Sequence, residues 1–241
     1  MTRRIASAFY LLSLSAVALP CFAAPPFITA AIHWPGGKAQ FFISDGTYIR
    51  YDITSDHADP GYPKQVTDST WPGMGAYGTQ IVAAFNALDP NKAYFFLANG
   101  TYLRYDIGQD RVDSGYPARV DDKSWPGLAP YATQLVGALN WGSDKVQFFL
   151  ANGTYLQYDL RADLTDSGFP QRIDNKTWPG LGAYAGHIAC TINWNNGKAY
   201  IFMFDRTYVR YDVASDRIDS GYPMPVDEQT WPGMAGYFRQ R

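Results

Sequence analysis

Short apolar runs of strand length, separated by glycine, proline and acidic or amide residues, fill the chain after its first two dozen positions. Ile81 to Phe85 is one such run and Ala93 to Leu97 a second, richer in aromatic residues; both read as strands. Asn99-Gly100 then closes a hairpin, as Asp45-Gly46 and Asn152-Gly153 do elsewhere, because these residues tolerate the positive φ of a tight turn. Asp205-Arg206 departs from that rule, which makes the fourth hairpin the one expected to be strained. The next strand, Thr101 to Ile107, sets Tyr102, Arg104 and Asp106 on one face against Thr101, Leu103, Tyr105 and Ile107 on the other. Bulky groups on both faces suit a sheet sandwiched between neighbours. After Gly115-Tyr116-Pro117 a short outer strand is expected, followed by one helical turn capped by Asp121-Asp122 and ending before Trp125.

These elements recur. Trp71-Pro72-Gly73-Met74 returns as Trp125-Pro126-Gly127-Leu128, Trp178-Pro179-Gly180-Leu181 and Trp231-Pro232-Gly233-Met234, at intervals of 54, 53 and 53 residues. Thr47-Tyr48 with Tyr51-Asp52 returns at the same intervals as Thr101-Tyr102 with Tyr105-Asp106, Thr154-Tyr155 with Tyr158-Asp159, and Thr207-Tyr208 with Tyr211-Asp212. Four units therefore run over about 28–79, 80–133, 134–185 and 186–241. A unit of this length with four short strands fits a propeller blade better than a solenoid coil, so the expected fold is an all-β, four-bladed β-propeller with four-stranded blades, each ending in a short helical turn.

Residues 1–23 read as an export signal: Arg3 and Arg4 precede an apolar run from Ile5 to Leu19, and Cys21-Phe22-Ala23 offers a cleavage site after Ala23. The apolar run is short for a membrane span, and Pro20 before Cys21 argues against a lipid-anchored cysteine. The expected mature protein, 24–241, is thus one secreted or periplasmic domain without a membrane span. Loss of Arg3 and Arg4 turns 20 basic and 22 acidic residues into 18 and 22, a balance of −4. With no block of Lys or Arg, a nucleic-acid partner is not expected. Cys190 is left alone after processing, so no intramolecular disulfide can form, and it reads as a small buried residue.

Within one unit, Val82-Ala83-Ala84-Phe85, Phe95-Phe96, Tyr102 with Tyr105-Asp106, Gly115-Tyr116-Pro117 and Trp125-Pro126-Gly127 stand in fixed order. In this the chain resembles the hemopexin-like repeat family, and within it the stand-alone single propellers of plant seed albumins and bacterial hemopexin-like proteins. The resemblance implies an ion in the central tunnel, calcium or sodium, held by main-chain carbonyls at Thr29, Val82, Val136 and Ala189. The family's usual Asp is missing at all four of those positions. It also implies polyamine binding, reported for the plant relatives. Haem capture in hemopexin itself uses two propellers and a linker, and one propeller with three histidines, His33, His57 and His187, fits that poorly.

Alternation along the inner strands places His33, Asn86, Asn140 and Asn193 as a polar ring at one mouth of the tunnel, with Trp34, Trp141 and Trp194 following on the same face. Unit two has Ala87 in place of that tryptophan. These seven residues are the candidate ligand site; the other reading of the four ring residues is that they only cap strand ends. Most acids recur in every unit, as structural residues do, and no residues stand out as catalytic. The chain is therefore read as a non-catalytic binding module for a protein or small ligand, including an amine. The rival is an enzyme acting on carbohydrate, centred on an acid that breaks the fourfold pattern, of which Glu228 is the only glutamate.

Overall fold

The computed structural model describes residues 25–237. The expected export signal and Cys21 lie outside the described residues. Four antiparallel sheets follow one another along the chain. Their inner strands are Ile28–Trp34, Ile81–Asn86, Leu135–Trp141 and Ile188–Asn193. Each pairs with a second strand that begins at Lys38, Lys92, Lys145 or Lys198, and this pairs with a third, Thr47–Asp52, Thr101–Asp106, Thr154–Asp159 or Thr207–Asp212. The inner strands stand around one axis, each touching its two neighbours. The fold is a four-bladed β-propeller.

Two local expectations hold with an addition each. The expected short outer strand after Gly115-Tyr116-Pro117 is present as Ala118–Arg119, but a further piece, Arg111–Val112, precedes the turn, and both pair with the third strand. The proline has no N–H to give a ladder at the point where the strand breaks. The other side of the tryptophan carries 3-10 turns as well, at Gly78–Gln80, Ala129–Gln134, Gly182–Tyr184 and Ala235–Tyr237. Before Trp125 there is a single capped turn, closed by Trp125 N–H on Asp121 O at 2.7 Å as in one turn of helix, in which Asp121 Oδ1 accepts from the N–H groups of Lys123 (2.9 Å) and Ser124 (3.0 Å). The fourth hairpin departs as expected, with Arg206 at φ 68° where Gly46, Gly100 and Gly153 stand in the other blades.

The Trp-Pro-Gly motif is where one blade grips the next. Trp71, buried to 2% exposure, lies 4.9 Å from Phe42 of its own blade and 5.1 Å from Tyr105 of the following one, centroid to centroid. Pro72 accepts a hydrogen bond from Val112 N–H at 2.9 Å, and Pro126 and Pro179 do the same for Thr165 and Ile218. The fourth copy closes the ring: Ala58 N–H of blade 1 donates to Pro232 O at 2.9 Å. Glycine is required after the proline because φ is +86° at Gly73 and an added Cβ would stand 2.8 Å from Val112 Cβ. Among the described residues the ring is thus closed by main-chain pairing and aromatic packing, with the one described cysteine, Cys190, free.

The recurring acids have structural partners. Lys92 Nζ bonds Asp106 at 2.7 Å and Asp113 at 2.9 Å, and Arg104 Nε bonds Asp113, tying the second and third strands to the outer one. Lys38, Lys145 and Lys198 repeat this arrangement. Tyr51, Tyr105, Tyr158 and Tyr211 each donate their phenol to an aspartate, Asp56, Asp110, Asp163 and Asp216, at 2.8–2.9 Å.

Candidate functional site at the tunnel mouth

A β-strand turns successive side chains to opposite faces, so the last tunnel-facing residue of each inner strand arrives at the same level of the axis. His33, Asn86, Asn140 and Asn193 are brought together there and line a cavity of about 210 Å³ with Ala31, Ala84 and Ala138 below them. They do more than end their strands. Each reaches across to the neighbouring blade's free strand edge: Asn86 Nδ2 donates to His33 O (3.0 Å), Asn140 Nδ2 to Asn86 O (2.9 Å), and Asn193 Nδ2 to Asn140 O (3.0 Å). His33 completes the circle by donating from Nε2 to Asn193 O at 2.6 Å, which fixes the tautomer because a carbonyl can only accept. Asn86 also accepts from His33 N–H at 2.9 Å. The ring is a belt of side-chain to main-chain hydrogen bonds running once around the propeller.

Its chemistry follows from which groups are already used. Each asparagine Nδ2 spends one of its two N–H groups on a carbonyl, each of those carbonyls keeps a second lone pair, and Asn140 Oδ1 has no partner among the described residues. The mouth therefore offers acceptors. Burial pushes the His33 imidazole below its usual value, opposed only in part by its bond to Asn193 O, so it is neutral near pH 7 and adds no positive charge.

The three tryptophans do not join this ring. Trp34, Trp141 and Trp194 follow the ring residues by one position and so point to the opposite face of the sheet, into the grooves between blades. Trp34 packs edge-on to Trp71 (5.0 Å), Trp141 to Trp178 (5.1 Å) and Trp194 to Trp231 (5.5 Å). Only Trp194 comes near a ring residue, 6.1 Å from His33.

Thr29, Val82, Val136 and Ala189 stand lower on the same strands, each at a β-bulge where the pairing with the second strand skips one residue. The buried Thr191 hydroxyl, two positions along from Ala189, has no hydrogen-bond partner. Neutral oxygen donors of this kind suit a hard cation, but no carboxylate stands among the four to neutralise it. Among the described residues no group of three or more His, Cys, Asp or Glu is placed to hold a metal.

Glu228 does not break the fourfold pattern. Its Oε2 accepts from Gly233 N–H at 2.8 Å, as Asp68, Asp122 and Asn175 accept from Gly73, Gly127 and Gly180 in the other blades. Cys190 is fully buried, and burial raises its thiol far above the range in which a thiolate forms.

Blades, closure and mouth together define a four-bladed propeller whose recurring acids are paired within the scaffold and whose axial opening is lined by His33, Asn86, Asn140 and Asn193. It has the hemopexin fold. Among solved structures it is similar to a hemopexin fold protein from cow pea (18% identity, TM-score 0.71, 88% of this chain and 99% of that one). It is also similar to a plant albumin from Cicer arietinum described as showing hemagglutination (18%, TM-score 0.71, 87% and 97%). A plant lectin with two metal binding sites from Cicer arietinum superposes likewise (19%, TM-score 0.69, 89% and 100%). In sequence, 154 residues are 23% identical to macrophage metalloelastase of Oryctolagus cuniculus, a stretch that covers 64% of this chain and 30% of that protein. No family model matches the chain.

Proposed function

We propose that the protein is an extracytoplasmic, non-catalytic binding module that takes a small cationic ligand, an amine, at the tunnel mouth ringed by His33, Asn86, Asn140 and Asn193. The observation that carries this reading is the hydrogen-bond belt: it uses one N–H of each asparagine and the His33 N–H to hold the ring in place, and leaves carbonyl lone pairs and Asn140 Oδ1 as acceptors at a cavity of about 210 Å³. An ammonium has three donors and no acceptor, the complement of such an opening. The lectin and hemagglutination descriptions of the Cicer arietinum proteins favour a second form of the same reading, in which the loops around the mouth meet a larger partner. A tunnel ion at Thr29, Val82, Val136 and Ala189 would be held weakly, by neutral carbonyls alone.

Calorimetric titration of 1,4-diaminobutane against 1,4-butanediol tests the proposal, because the two have the same length and differ in charge. The diamine is expected to bind saturably and the diol not. Replacing Asn86 and Asn140 together by Ala removes two polar groups worth about 1 kcal/mol each and is expected to weaken the diamine by about tenfold or more. Equal binding of diamine and diol, or unchanged affinity in a folded double variant, would place the function away from the mouth.

A further inference from the structure

Three of the four grooves between blades are filled in the same way. Trp34 lies against Trp71 with ring planes 66° apart and reaches Tyr105 of the next blade at 6.1 Å. Trp141 lies against Trp178 at 62° and reaches Tyr211 at 6.3 Å. Trp194 lies against Trp231 at 87° and reaches Tyr51 at 6.4 Å. The groove between blades 2 and 3 has the same floor, with Trp125 5.1 Å from Tyr158, but Ala87 stands where the indole should start. The loop there is also one residue longer, running from Asn86 to Lys92 where blade 3 runs from Asn140 to Lys145. A cavity of about 320 Å³ remains over Trp125, walled by Ala87, Tyr94 and Leu160, with Leu88 at its edge, apolar and 45% exposed.

Charge on the rim is unbalanced. Lys92 and Arg104 border the cavity, but Lys92 is tied to Asp106 and Asp113 and Arg104 to Asp113, so those four charges cancel. Asp89 and Asp163 also border it, and each receives only a neutral hydrogen bond, from Asn91 N–H and from the Tyr158 phenol, both at 2.9 Å. Neither has a cation partner among the described residues. A slot with Trp125, Tyr94 and Leu160 among its walls and two carboxylates without a cation partner at its edge suits a flat ring that carries a positive charge.

We infer that the groove between blades 2 and 3 is a second ligand site, for an aromatic amine whose ring occupies the place of the missing tryptophan and whose ammonium faces Asp89 and Asp163. The site adjoins the tunnel mouth only through Ala87, which borders both cavities, and its carboxylates Asp89 and Asp163 do not line the mouth.

The test is calorimetric titration of the whole protein with three probes of one shape: tryptamine, indole and indole-3-acetate. Tryptamine is expected to bind most tightly, indole more weakly and indole-3-acetate weakest. Ala87→Trp supplies the absent side chain and is expected to abolish tryptamine binding, while Asp163→Asn, at a position that does not line the mouth, is expected to leave 1,4-diaminobutane unaffected. Asp163→Asn keeps the acceptor for Tyr158 and tolerates the φ of 53° at this position. It is expected to bring tryptamine down severalfold toward indole with indole itself unchanged, and it lies away from the mouth, so it remains informative if Ala87→Trp misfolds. The inference is overturned if tryptamine does not bind, if indole-3-acetate binds as well as tryptamine, or if tryptamine binds a folded Ala87→Trp or the Asp163→Asn variant as it binds the wild type.

Discussion

Removing one amide from the belt should cost stability in proportion to the bonds that amide makes, and Asn86 and Asn140 make different numbers. Asn86 holds both edges of His33, donating to its carbonyl at 3.0 Å and accepting from its N–H at 2.9 Å, whereas Asn140 donates once, to Asn86 O at 2.9 Å. At about 1 kcal/mol per bond, Asn86→Ala is expected to lose about 2 kcal/mol and Asn140→Ala about 1. For a domain of this size those losses correspond to roughly 4–8 °C and 2–4 °C in Tm. Asn86→Asp sharpens the contrast: the carboxylate still accepts from His33 N–H, but it cannot donate to His33 O and repels it, so this variant should be no more stable than Asn86→Ala. Urea unfolding followed by tryptophan fluorescence measures all three, with an unchanged m value showing that the same structure unfolds. If Asn86→Ala proves no less stable than Asn140→Ala, the belt does not stitch the blades and the ring residues only end their strands.

Other consequences are as direct. His33 has its pKa lowered by burial, so the unfolded chain binds its proton more readily, and stability from this residue should fall as pH drops through about 6.5 toward the lower folded value; a His33→Gln variant should flatten that part of a Tm-against-pH curve. Gly73→Ala should be more damaging than Gly61→Ala, because both have φ above +80° but only at Gly73 would the new Cβ meet a neighbour, Val112 Cβ at 2.8 Å; roughly 1–2 kcal/mol is expected at Gly61 and more at Gly73 by denaturant titration. Chelation should move the melting temperature little, since no side-chain carboxylate stands with Thr29, Val82, Val136 and Ala189; a large drop would show that carbonyls alone hold a tightly bound ion.

The blades were legible in the sequence because each strand carries its signal locally and the signal is repeated four times. The ring of His33, Asn86, Asn140 and Asn193 was legible too, since alternation along an inner strand fixes which residues face the axis. The same alternation should have sent Trp34, Trp141 and Trp194 to the opposite face, and following them one position past the ring was enough to misplace them. What alternation could not show is that the ring side chains bond across blades, because that depends on how close two inner strands stand, a tertiary distance. The first piece of the outer strand escaped for a similar reason: Val112, Thr165, Ile218 and Ala58 give their N–H groups to Pro72, Pro126, Pro179 and Pro232 of a neighbouring blade, partners that only the folded ring supplies. Glu228 looked singular because it is the only glutamate, yet its carboxylate performs the task of Asp68, Asp122 and Asn175. The gap at Ala87 was visible as a missing tryptophan, and only the packing of the other three shows what it leaves open.

The central claim, an amine site inside the belt, is tested most directly by nuclear magnetic resonance of the side-chain amides during titration with 1,4-diaminobutane. The Nδ2 signals of Asn86, Asn140 and Asn193 and the imidazole signals of His33 are expected to shift together along one saturation curve, while the indole signal of Trp125 in the groove between blades 2 and 3 stays in place. Saturable shifts that leave those four residues untouched, or no saturable shift at all, would contradict it.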